Sequence, residues 1–271
     1  MTVPPPTPSS AEKKPATRPI TTRRSSGTRP YRTRVPSGDP IAELARAPER
    51  TALLFDVDGV LAPIVARPED ARVPDETRAE LERLAAAYAL VACITGREED
   101  DARHVLGVGG IRIVGEHGLG LDLAAAEWAG RLHAFADAVD WPVERKAHSV
   151  AFHYREAEDE AAARAFLEDV AARARAAGLA PRFGRKVLEL RPPVDADKGT
   201  AVRHLLAETG LSRAMYAGDD TTDLDAFRAL DGLELGVRVA VASDEGPPEL
   251  REQAAVVVAS TEELLTLLRQ L

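Results

Sequence analysis

The sequence predicts an α/β fold: a parallel-sheet core interrupted by one inserted α+β domain. Three observations lead there. From Thr51 onward, short apolar runs alternate with segments of helical period. Several of those runs end directly in carboxylates or hydroxyls, as buried parallel strands do when they feed a site beyond their carboxyl ends. Between 122 and 191 the alternation breaks, and a helix–strand–strand pattern occurs twice, which marks an antiparallel sheet with helices on one face.

Taken in order, residues 1–39 are rich in Pro, Ser, Thr and Arg and nearly free of large apolar side chains. Such a stretch buries too little to offset its ordering entropy and reads as disordered. Ile41 to Ala47 reads as a short amphipathic lead-in helix stopped by Pro48. Ala52 to Phe55 is the first buried strand and delivers Asp56 and Asp58. Asp75 to Tyr88 is a helix with Asp75 as its N-cap. Leu90 to Thr95 is the second strand, Glu98 to Leu106 a helix, and Ile111 to Val114 the third strand. In the insertion, Ala124 to Val139 and Glu156 to Ala177 are helices. Val143 to His148, Val150 to Arg155, Ala180 to Phe183 and Lys186 to Arg191 are strands. The first rhythm then resumes with a helix from Lys198 to Thr209, a strand from Ala214 to Ala217 and a helix from Asp223 to Leu230. Strands at Gly236 to Ala242 and Ala255 to Val258 and a closing helix from Thr261 to Gln270 follow. The boundaries are therefore a disordered basic tail over 1–45, a core over 46–121 and 192–271, and an inserted domain over 122–191.

Composition narrows the function classes. The 271 residues are 45% hydrophobic and 29% charged, enough for a sizeable core without disulfides. The single cysteine, Cys93, lies in an apolar run and reads as a buried structural thiol, which suits a reducing cytoplasm. No apolar run is long enough to span a bilayer. The net charge of −9 divides unevenly: residues 1–39 carry eight basic and two acidic side chains, leaving −15 on the rest. An acidic body argues against nucleic acid as a partner. The partner expected is a small molecule, for a monomeric, cytoplasmic protein that does not engage membranes.

The chemistry lies at the strand ends. Asp56 and Asp58, one residue apart, repel each other unless a cation sits between them or one holds a proton. A hard cation such as Mg²⁺ takes oxygen ligands and shares its shell with substrate phosphate. Asp56 could also act as a nucleophile. Thr95-Gly96-Arg97 follows the second strand, and Asp219, Asp220 and Asp223 follow a later one. Lys198 opens the helix before that later strand. Read singly, Asp-x-Asp-Gly is an ordinary turn, Thr95 a helix cap and Lys198 a surface residue. Together, at successive strand and helix ends, they form the parts of a phosphoryl-transfer site.

This set resembles the haloacid-dehalogenase-like (HAD) phosphatases. The resemblance runs through Asp56-Val57-Asp58-Gly59-Val60-Leu61, Thr95, Lys198 and Gly218-Asp219-Asp220-x-x-Asp223, and covers about Thr51 to Leu271. It implies a Rossmann-like core with an inserted cap. It also implies Asp56 as nucleophile, Asp58 as general acid and base, and Mg²⁺ held by Asp56, the Asp58 carbonyl and Asp219, with Asp220 and Asp223 in support. Within that group the chain is similar to the trehalose-6-phosphate phosphatases. Gly115-Glu116-His117-Gly118-Leu119, Glu144-x-Lys146, His153-Tyr154-Arg155 and Gly184-Arg185-Lys186-Val187-Leu188-Glu189-Leu190-Arg191-Pro192 carry that likeness. It implies Glu144, Lys146, Arg155, Arg185 and Glu189 against the second glucose, with Gly96, Arg97 and His117 also at the substrate. Thr221, Leu224 and Arg185 depart from that family's usual residues, and none of the three belongs to the implied catalytic set. His104, His133, His148 and His204 read as surface or packing residues. Two alternatives stay open: a related phosphosugar phosphatase of sucrose-phosphate or mannosyl-phosphoglycerate type, and a catalytically idle sugar-phosphate sensor.

Overall fold

The computed structural model describes residues 38–184, 186–243 and 246–271, all within one compact unit. Ten strands and nine α-helices are formed among them. The first half contains α1 (Pro40–Ala45), β1 (Thr51–Phe55), α2 (Asp75–Ala87), β2 (Leu90–Ile94), α3 (Glu99–Leu106) and β3 (Arg112–Val114). The middle contains α4 (Leu123–Asp137), β4 (Glu144–Arg145), β5 (Val150–His153), α5 (Glu160–Ala176), β6 (Ala180–Gly184) and β7 (Val187–Arg191). The last part contains α6 (Lys198–Thr209), β8 (Arg213–Gly218), α7 (Asp223–Ala229), β9 (Leu235–Val241), α8 (Pro248–Gln253), β10 (Val256–Val258) and α9 (Thr261–Leu268).

Six strands form one parallel sheet in the order β10-β9-β8-β1-β2-β3. Alternate residues of the strands serve two separate cores, as the two-residue period of a strand requires. Leu53, Phe55, Cys93 and Met215 face one layer with Leu81 and Leu84 of α2 and Leu264 and Leu268 of α9. Ala52, Leu54, Ile94 and Tyr216 face the other with Val202 and Leu205 of α6 and Phe227 of α7. The fold is therefore doubly wound, and Cys93 is fully buried, as its apolar context implies. The chain leaves β1 toward β2 and β3, then returns to β8 on the other side of β1. The gap between β1 and β8 is thus a topological switch point, where such sheets bind ligands.

The remaining four strands form an antiparallel sheet in the order β4-β5-β7-β6. Phe152, Leu188 and Leu190 on one face pack against Leu132 of α4 and Leu167 and Val170 of α5. The opposite face carries Glu144, Ala151, Glu189 and Arg182 in one cross-strand row.

Four expectations are corrected. The tail does not extend to 45: Asp39 caps α1, whose Ile41 and Leu44 are buried in the core, so residues 40–45 belong to the folded body. Asp75 does not cap α2 but is its first residue, after Pro74. The strand expected from Val143 to His148 is formed only at Glu144 and Arg145. Residues 146–149 turn back on themselves, with Lys146 N donating to Ser149 O at 2.9 Å. Helix α8 lies in a stretch for which the sequence pattern offered no helix. Most of the expected tail, residues 1–37, lies outside the described residues.

Candidate active site

The switch point is lined by carboxylates. Asp56 directly follows β1, and its backbone N–H continues the ladder to Ala217 O at 2.9 Å. Its side chain is 6% exposed. Oδ1 accepts from Val57 N at 2.7 Å, and Oδ2 lies 2.6 Å from Lys198 Nζ. Lys198 stands on the first turn of α6, which the Asp197–Thr200 capping box starts. That ammonium also donates to Asp223 Oδ1 at 2.7 Å.

Asp223 is fully engaged. Its Oδ1 also accepts from Tyr216 Oη at 2.8 Å, and its Oδ2 accepts the N–H groups of Asp219 and Asp220 at 2.8 and 2.9 Å. It shapes the loop after β8 and aims Lys198. Sequence pattern missed Tyr216, because a tyrosine inside an apolar strand reads as core; only its hydroxyl among buried neighbours marks it out.

Oxygen atoms of Asp56, Asp219 and Asp223 lie within 4.8 Å of one another. Two glycines make room for them. Gly59 has φ +78°, and a Cβ there would stand 2.2 Å from Asp219 Oδ2. A Cβ on Gly218 would stand 2.3 Å from the Asp223 carboxyl carbon. An all-oxygen cradle with net negative charge suits a hard divalent cation. Without one the charges conflict. Burial, then the Asp56 and Asp223 charges, push Asp219 up to about 8. Burial also raises Asp56 against the pull of Lys198. Burial alone would lower the Lys198 ammonium, but Asp223 and Asp56 hold it above its ordinary value.

Asp58, whose backbone carbonyl was expected at the metal, and Asp220, expected in support, have other partners for their carboxylates. Asp58 makes a bidentate pair with Arg97, at 2.7 Å to both Nε and Nη2. Asp220 is exposed and accepts from Thr221 N at 2.6 Å. Arg97, expected at the substrate, spends its guanidinium on Asp58, Asp101 and Pro68 O. Thr95 is buried at the end of β2, and its Oγ1 accepts from Arg97 N at 3.2 Å. His117 has φ +55° and lies over Gly96, where a Cβ would meet its ring at 2.7 Å. Its Nδ1 is buried without a hydrogen-bond partner among the described residues. Burial, then the Lys198, Arg191, Arg182 and Lys146 charges, hold the ring well below its ordinary pKa and so neutral.

Further expected residues lie on the inserted domain, and of these Lys146 has a described contact to the core. Lys146 Nζ donates to Gly96 O at 3.2 Å. Glu189 Oε1 accepts from Ser149 Oγ at 3.0 Å. Glu144 Oε2 lies 2.7 Å from His153 Nε2, a contact that, with the Lys146 charge, keeps its carboxyl low despite partial burial. Arg155 is exposed, and no described contact ties it to the others. Arg185 lies outside the described residues. No helix among the described residues is long and apolar enough to cross a membrane.

A family model described as trehalose-phosphatase matches residues 54–141 and 141–261, taking in both sheets. The chain belongs to the trehalose-phosphatase family. It is 40% identical over 207 residues to a trehalose-phosphate phosphatase of Mycolicibacterium paratuberculosis, covering 67% of this chain and 51% of that protein. It is 38% identical over 217 residues to an uncharacterized glycosyl hydrolase of Mycobacterium tuberculosis, covering 70% of this chain and 16% of that protein. The chain thus spans about half, or much less, of the curated relatives it matches. Among solved structures, a trehalose-6-phosphate phosphatase related protein superposes with a TM-score of 0.65 at 24% identity, over 80% of this chain and 95% of the other. A haloacid dehalogenase-like hydrolase from Bacteroides thetaiotaomicron gives 0.56 at 14% identity, over 81% and 98%. These likenesses confirm the doubly wound fold with its second sheet.

Proposed function

We propose that this chain is a Mg²⁺-dependent trehalose-6-phosphate phosphatase whose antiparallel domain, 122–191, caps the catalytic core. One observation carries the reading. Asp56, Lys198 and Asp219 converge at the switch point, while Lys146 of the inserted domain reaches Gly96 O in the loop after β2.

In this reading Asp56 attacks phosphorus, forming an aspartyl phosphate as the bond to the sugar oxygen breaks. Asp58 gives that oxygen its proton. It then takes a proton from water, which attacks the aspartyl phosphate and releases inorganic phosphate. Thr95 Oγ1 and the Gly96 amide orient phosphate oxygens, and Lys198 offsets their charge. Asp56, Asp219 and the Asp58 carbonyl would hold Mg²⁺, which when bound neutralises phosphoryl charge. Arg97 binds both Asp58 oxygens in the structure and has to release one before Asp58 carries the proton it gives. Glu144, Lys146 and Glu189 pair with hydroxyls of the distal sugar, where unpaired buried groups penalise the wrong substrate.

The test is phosphate release, with Mg²⁺, from trehalose 6-phosphate, sucrose 6-phosphate, glucose 6-phosphate and mannose 6-phosphate. Selective release from the first supports the reading. Release from another member with the first untouched overturns the substrate, and silence across the panel overturns the activity. Two further results are expected. Glu189→Gln raises KM for trehalose 6-phosphate by about 10- to 100-fold with a smaller effect on kcat, as loss of a charged hydrogen bond does. A pH series checks the metal site. Metal-free folded protein holds a proton on Asp219, at about 8, that the unfolded chain has lost above its ordinary value of 3.8. The cluster's contribution to stability therefore falls as pH rises through that window, by about 2 kcal/mol between about pH 6 and 8. Mg²⁺ displaces the proton and flattens the slope, as urea titrations with EDTA or Mg²⁺ would read.

A further inference from the structure

Outside the carboxylate cradle, a knot of polar contacts around a buried glutamate joins the loop after β3 to residues 146–149. Glu116 is 3% exposed and adopts φ +46°. Its carboxylate accepts His148 N at 3.0 and 3.1 Å and lies 2.7 Å from His148 Nδ1. Ser149 Oγ stands 3.4 Å from Glu116 Oε1 and 3.0 Å from Glu189 Oε1. Beside it, Glu98 Oε1 accepts Ala147 N at 2.7 Å. Residues 146 to 149 are thus each held by a contact to the core. These contacts turn the chain away from the strand that its sequence pattern favours.

No lysine or arginine pairs with Glu116 among the described residues. A buried carboxylate that pairs with no lysine or arginine depends on its N–H and O–H donors, and among the described residues all of them come from residues 148 and 149. The same four-residue turn carries Lys146, which reaches Gly96 O, and Ser149, which reaches Glu189. We propose that Glu116 is a positioning residue: it anchors the 146–149 turn and thereby sets Lys146 beside Gly96 and Ser149 beside Glu189. Its effect then falls on substrates that carry a sugar beyond the phosphate, and not on phosphoryl transfer itself. The proposal rests on the phosphosugar reading above and deepens it.

The test uses the full chain and two variants, Glu116→Gln and His148→Ala, with two readouts. The first is hydrogen exchange at the His148 amide, whose acceptor is Glu116. Glu116→Gln is expected to speed it by about 10- to 100-fold. The second is kcat/KM for trehalose 6-phosphate and for p-nitrophenyl phosphate, which has no sugar to recognise. Glu116→Gln is expected to lower the first by about 10- to 100-fold, chiefly through KM, and to leave the second unchanged. His148→Ala loses less in the same sense, and adding it to Glu116→Gln costs little more, because both remove one coupled contact. Parallel losses on both substrates, or no loss on trehalose 6-phosphate, overturn the proposal. Should the wild type leave trehalose 6-phosphate intact, the functional reading fails on its own. The exchange rate still decides the anchor, and an unchanged rate overturns it.

Discussion

Asp56→Asn is expected to lose at least about 10⁴-fold in turnover of trehalose 6-phosphate, the scale on which removal of a nucleophile acts. Asparagine keeps the shape of the side chain and one oxygen for Val57 N, while Lys198 keeps its bond to Asp223. The strand end should therefore survive. The charge conflict also eases, because Asp56 is one of the groups that raise Asp219. Metal-free Asp56→Asn should accordingly melt no lower than wild type. Lost turnover with a retained melting temperature isolates the nucleophile from the fold. Retained turnover would mean that another group attacks phosphorus.

Lys198→Ala should damage both stability and activity. The Lys198 side chain is 1% exposed, and its ammonium lies between Asp56 at 2.6 Å and Asp223 at 2.7 Å. Removing one partner of a buried ion pair leaves an uncompensated charge and costs about 3–5 kcal/mol. Part of that loss should be recovered at acidic pH, where the orphaned carboxylates take up protons. Turnover should fall by about 10²- to 10³-fold, as when one preorganised donor to a transition state is lost. Urea midpoints across pH, read beside kcat, separate the two effects. A variant as stable as wild type at neutral pH would contradict the arrangement of charges.

Local pattern carried the core of the site. Asp56, Lys198 and Asp219 stand at the ends or starts of elements whose apolar period is strong, so their convergence followed from the alternation of strand and helix. Contacts distant in sequence were not legible. Val150 through His153 pairs as expected, yet residues 146–148 leave the strand, with Glu98 and Glu116 binding the amides of Ala147 and His148. His148 read as a surface or packing residue, and nothing in its neighbourhood points to a carboxylate 32 residues earlier. Tyr216 and Gly59 were hidden for the opposite reason: one passes as core and the other as a turn, and only the loop after β8 gives them their roles. The pairing of Arg97 with Asp58, 39 residues earlier, is another contact that local pattern does not show.

The most direct measurement is to locate the phosphoryl group. Asp58→Asn should retain attack by Asp56 but activate water poorly, so the aspartyl phosphate should outlive mixing with trehalose 6-phosphate and Mg²⁺. Acid quenching and peptide mapping by mass spectrometry would then be expected to find phosphate on Asp56, and none in the Asp56→Asn, Asp58→Asn double variant. Phosphate on another residue, or wild-type turnover by Asp58→Asn with no phosphorylated peptide, would contradict the account.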